Sequence, residues 1–90
     1  MDRGLRPNPD VVTQEIEGEL VLVHLLTNRI YALNETGARL WAMLDAGYDP
    51  ARIQHELLRE FDVDPTELER EVAALVDELA REGLLTPGAE

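Results

Sequence analysis

Two different hydrophobic periods meet near Asn34. Before it, apolar residues come in short runs. Val11–Ile16 is rich in β-branched residues, and residues 20–26 are almost continuously apolar. A third short run covers residues 30–33. Runs of four to eight such residues bounded by turn formers predict strands. Glu17-Gly18-Glu19 and Thr27-Asn28-Arg29 are the bounding turns, and Asn28 tolerates a left-handed backbone. Three strands joined by two tight turns predict an antiparallel meander in chain order.

After Asn34 the spacing becomes helical. Asn34 is a favourable N-cap for a helix running to about Ala46, with Leu40, Trp41 and Leu44 on one face and Gly47 as its stop. Asp49-Pro50 restarts a helix, with proline at the first helical position, and Ile53, Leu57 and Leu58 point it towards Phe61. Asp64-Pro65-Thr66-Glu67 starts a third, with Asp64 and Glu67 spaced as in a capping box. That helix runs to about Glu82, Gly83 ends it, and Leu84 and Leu85 are expected to fold back onto the core. The expected fold is a small α+β domain, a three-stranded antiparallel β-meander followed by three α-helices. The second and third helices make a helix-turn-helix pair, so with the hairpin the chain has the makeup of a winged helix. Residues 1–10, with Pro7 and Pro9, are expected to be a mobile arm, residues 11–86 the domain, and residues 87–90 a loose tail.

Ninety residues correspond to one domain with a small core, and 44% hydrophobic content suffices for it. Charge changes the picture more. There are 19 acidic and 8 basic residues, for a formal charge of −11, and every basic residue is an arginine. Such a surface repels phosphate backbones and anionic membranes. The third helix sharpens the point: a DNA-reading helix brings arginine, lysine, asparagine or glutamine to base edges. Here the helix offers Arg70 and Arg81 against six acidic residues between Glu67 and Glu82. A winged-helix DNA binder is therefore an alternative that the charge disfavours.

Candidate chemistry is sparse. There is no cysteine, hence no disulfide and no thiolate metal site, and neither His24 nor His55 has a second histidine or cysteine at ligand spacing. Serine is absent, the threonines (Thr13, Thr27, Thr36, Thr66 and Thr86) lie mostly at turns and helix starts, and no glycine-rich phosphate loop exists. The carboxylates fall on caps and exposed faces. No catalytic residue, metal or cofactor is expected. With no secretory signal and no apolar run of about 18 residues, a cytoplasmic location is expected.

Two features suggest binding. In a chain-order meander the third strand lies at an edge, where unpaired backbone groups can accept an added strand. On the last helix Leu68, Val72, Leu75 and Leu79 form a core stripe, widened by Ala73, Val76 and Ala80, with Glu71, Glu78 and Glu82 on the opposite shoulder. A peptide between that strand and that helix is one use of both, and a harmless short edge is the other. A proline at Tyr31 is expected to remove one donor from the edge.

The stretch from Leu22-Val23-His24-Leu25-Leu26-Thr27-Asn28-Arg29-Ile30-Tyr31-Ala32-Leu33 through Asn34-Glu35-Thr36-Gly37-Ala38-Arg39-Leu40-Trp41 resembles the PqqD-like family. Leu44-Asp45-Ala46-Gly47, Phe61-Asp62-Val63-Asp64 and the closing Leu79…Gly83-Leu84-Leu85 fit the same order and spacing. The resemblance implies a winged-helix-like, non-catalytic domain that binds the leader of a ribosomally made precursor peptide. The leader would add beside the third strand at Arg29, Ile30, Tyr31, Ala32 and Leu33, and pack on Val72, Leu75, Val76 and Leu79. Free-standing members of pyrroloquinoline quinone biosynthesis usually carry a Cys-Asp-Gly-like segment after the first helix. This chain has Leu44-Asp45-Ala46-Gly47 instead and is more similar to the discrete leader-binding proteins of lasso-peptide clusters. The implied partners are the leader, with apolar anchors that include an aromatic residue and proline, a leader peptidase and an ATP-dependent ring-forming enzyme. A general protein–protein adaptor using the same groove is the other alternative.

Overall fold

The computed structural model describes residues 5–87. The elements are β1 (Leu5–Pro7), β2 (Val11–Ile16), β3 (Glu19–His24), β4 (Arg29–Leu33), α1 (Glu35–Asp45), α2 (Pro50–Glu60), α3 (Pro65–Arg81) and β5 (Leu85–Pro87). The meander is present with strand order β2-β3-β4, so β4 is an edge and β3 is central.

Each helix begins where an Asx cap is available. Asn34 accepts from the Gly37 N–H, Asp49 from Arg52 and Asp64 from Glu67, and each cap satisfies a donor that the first turn would otherwise leave open. Pro50 and Pro65 open α2 and α3, where a missing N–H costs nothing. Gly47 and Gly83, at φ of 88° and 79°, lie just beyond the ends of α1 and α3. The core gathers Leu22 and Leu33 from the sheet, Leu40, Trp41, Met43 and Leu44 from α1, Ile53 and Leu57 from α2, and Leu68 and Leu79 from α3. Leu84 and Leu85 fold back into it, as their position after Gly83 predicts.

Two boundaries differ from the sequence expectation. The central strand ends at His24, and Leu25 and Leu26 belong to the four-residue turn before Arg29. The turn is held by the Asn28 N–H donating to the His24 carbonyl (2.8 Å), with Asn28 in the left-handed region at φ 63°. The larger correction concerns the expected mobile arm. Leu5–Pro7 forms a strand paired antiparallel with Leu85–Pro87, in a second, two-stranded sheet. Asn8 adds a side-chain bond to the Gly83 carbonyl (2.8 Å) and a backbone bond to Leu84 (2.9 Å). Proline is compatible with a strand whose N–H side is unpaired, so Pro7 does not prevent this closure. Of the expected tail, Pro87 lies in β5; residues 1–4 and 88–90 lie outside the described residues.

Candidate functional site, the open edge of β4 beside α3

The Glu17-Gly18 turn sets which backbone groups of β4 are open. It has two residues, both at positive φ (51° and 84°), the condition for a type I′ turn closing on a mutually hydrogen-bonded pair, Ile16 with Glu19. Bonded and non-bonded pairs alternate along an antiparallel ladder. Glu19, Val21 and Val23 therefore turn their backbone groups to β2, and Leu20, Leu22 and His24 turn theirs to β4. Their partners there are Leu33, Tyr31 and Arg29. The Leu25 N–H donating to Asp10 and the His24 carbonyl accepting from Asn28 fit this phase. Ile30 and Ala32 are left with N–H and C=O groups directed out of the sheet. Tyr31 does not supply an edge donor, contrary to the expectation from sequence.

Side chains alternate independently of that phase. Leu22 and His24 are buried on the helix side, so Arg29, Tyr31 and Leu33, directly opposite in register, share that face. Ile30 and Ala32 point the other way and are exposed. The Tyr31 hydroxyl donates to the Glu82 carboxylate at the end of α3, and Arg29 donates to the same oxygen at 2.8 Å. The Tyr31 hydrogen bond and the Arg29 charge hold the Glu82 carboxyl below the usual carboxylate range, against a smaller opposing effect of desolvation. At the other end of β4, Gly37 sits where a Cβ would lie 3.2 Å from the Leu33 Cβ and 3.4 Å from Leu75 Cδ2. A side chain here would press on Leu33 and make ordinary contact with Leu75, so glycine suits this close approach of the start of α1.

Glu82, just past α3, at one end and Gly37 of α1, between Leu33 and Leu75, at the other leave α3 running beside β4 across a gap. Five strand steps from Arg29 to Asn34 cover about 16.5 Å. Eleven helix steps from Glu82 back to Glu71 cover about the same. A pocket of about 180 Å³ lies at the Asn34 end, lined by Asn34, Thr36, Gly37, Leu40, Glu71, Val72 and Leu75. The edge thus offers open backbone groups, with an apolar wall at Leu75 and acidic groups along the same side of α3.

The expected site residues divide accordingly. Arg29, Ile30, Tyr31 and Ala32 lie along the edge, and Leu75 borders the small pocket with Val72. Leu33 and Leu79 are core residues, at 6% and 2% exposure. Val76 faces elsewhere: with Leu44, Ile53, Val72, Ala73 and Ala80 it lines a groove of about 800 Å³ between the three helices. Sequence reasoning placed Glu71 and Glu82 on the right shoulder of the helix but gave them no role. Asn34, Thr36 and Gly37, which the sequence marks as a helix start, also line the small pocket. Among the described residues no group of three or more His, Asp or Glu could hold a metal ion, and no helix is long and apolar enough to cross a membrane.

Comparison with known proteins bears on this site. The family model described as Coenzyme PQQ synthesis protein D (PqqD) matches residues 19–85. Two solved structures share the whole architecture. One, described as TbiB1 in complex with the TbiA(beta) leader peptide, superposes with a TM-score of 0.84 at 32% identity, covering 94% of this chain and 99% of that one. The other, a lasso peptide synthetase B1 complexed with the leader peptide, gives 0.83 at 30% identity, covering 92% and 98%. No curated protein matches the chain.

Proposed function

This chain belongs to the PqqD family, and on that premise we propose that it binds the leader of a ribosomally synthesised precursor peptide, adding it as a strand beside β4. The observation that carries this reading is the open edge at Ile30 and Ala32, lying along α3. An extended peptide there gains backbone hydrogen bonds that fix its register, and side chains turned towards α3 meet Leu75 and the small pocket. Those contacts offset the ordering cost of a disordered leader. Both similar structures are complexes with a leader peptide, which supports the same use here.

In this reading the domain does no chemistry of its own. It holds the leader extended and delivers the precursor to a leader peptidase and an ATP-dependent ring-forming enzyme, in the manner of a lasso-peptide system. A titration of a fluorescently labelled leader, set beside a random DNA duplex at moderate salt, tests it. Saturable binding of the leader and none of the duplex is expected. Duplex binding without leader binding contradicts the reading.

A further inference from the structure

The wall that α3 presents to the open edge is acidic in an ordered way. Successive helical residues turn by about 100°, so Glu71, Leu75, Glu78 and Glu82 fall within an arc of about 60°. Contacts place that arc on the β4 side: Leu75 lies beside Gly37, and Glu82 accepts from Tyr31 and Arg29. Glu71 lines the small pocket with Leu75, and Glu78 lies one turn from both Leu75 and Glu82. Their charges are not equivalent. Among the described residues, Glu82 is paired with Arg29, Glu60 with Arg39, Glu56 with Arg59 and Asp77 with Arg81, and no arginine pairs with Glu71 or Glu78. Both are exposed, whereas Leu75 between them is half-buried. The wall is thus an apolar residue flanked by two carboxylates without a cation, about 10.5 Å apart along the helix.

On the leader-binding reading proposed above, we infer that Glu71 and Glu78 make the open edge specific for a leader with basic residues on both sides of an apolar anchor. A strand added beside Ile30 and Ala32 turns every second side chain towards α3. Where one of these meets Leu75, its neighbours on that side, two residues before and two after, lie about 13 Å apart. Lysine and arginine side chains are long enough to take up the difference of about 3 Å between strand and helix spacing. An acidic side chain at either position meets a carboxylate of like charge instead. Backbone hydrogen bonds at the edge supply affinity without this choice, which belongs to the side chains beside it. Position makes the choice and net charge does not: Glu69 lines the groove between the helices, and Glu15 lies on β2, the edge remote from β4.

Three proteins titrated with the fluorescently labelled leader test this: wild type, the double variant Glu71→Gln with Glu78→Gln, and the double variant Glu15→Gln with Glu69→Gln. The last removes the same charge elsewhere. Glutamine keeps the length and helix preference of glutamate, so the exposed wall loses only its charge. The wall variant is expected to bind at least about fivefold more weakly at about 0.1 M salt, as the loss of two partly solvated ion pairs does, and the control within about twofold of wild type. The difference is expected to shrink towards about 1 M salt, where the screening length falls to about 3 Å. A leader whose basic residues on either side of its apolar anchor are changed to glutamine is expected to lose as much on wild type, and nothing further on the wall variant. Wild-type affinity in the wall variant overturns the inference. So do equal losses in the two double variants, which would report net charge alone, and so does full affinity of wild type for the glutamine-substituted leader. In each of those cases leader binding itself stands. No binding of the leader by wild type sinks that reading and the inference together.

Discussion

Leu75 and Val76 are adjacent on α3 and face different surroundings. Leu75 approaches Gly37 and borders the small pocket beside β4, whereas Val76 opens into the groove between the helices. Leu75→Asp is therefore expected to weaken leader binding by about tenfold or more, as removal of a central apolar contact does. Val76→Asp is expected to leave leader affinity within about twofold, both variants being checked for folding by circular dichroism. Equal losses from the two would mean that the leader does not distinguish the two sides of α3. A helical wheel could not separate these residues. It showed a wide apolar arc, but which margin faces the strand depends on how Leu68 and Leu79 seat α3 in the core, a docking that also brings Glu82 to Tyr31 and Arg29. Caps were legible because their chemistry is local: Asn34, Asp49 and Asp64 each bond an N–H three residues on.

At the level of elements, the strands of the meander could be read from their β-branched and apolar runs, but the phase of the edge could not. It follows from the two-residue turn at Glu17-Gly18 combined with a register that only the folded sheet supplies. That phase makes two proline substitutions unequal. Tyr31→Pro removes a donor that pairs with Leu22 in the sheet, and it is expected to cost about 1–3 kcal/mol by leaving a buried acceptor unsatisfied. Ala32→Pro removes a donor only from the open edge, where proline is tolerated. It is expected to keep the thermal transition close to wild type while lowering leader affinity by about tenfold or more. A folded Ala32→Pro protein that binds leader normally would show that this N–H is not used. The pairing of β1 with β5 was beyond sequence reading for a different reason. Its partners lie at opposite ends of the chain, each only three residues long. So short an element carries no period of its own, and tertiary contact alone fixes it.

Across the whole molecule, the charge of −11 and the acidic last helix direct a winged-helix-like architecture away from nucleic acid. The matched structures, both leader-peptide complexes, agree with a peptide as the ligand. The molecule then combines an open edge along α3 with an acidic helical side. Amide hydrogen exchange at Ile30 and Ala32, with and without saturating leader, tests strand addition most directly, because both N–H groups are free in the unbound edge. Slowed exchange at those two amides, with little change at Tyr31, which is already paired in the sheet, is the expected result. Unchanged exchange at Ile30 and Ala32 in a protein fully occupied by leader would contradict it.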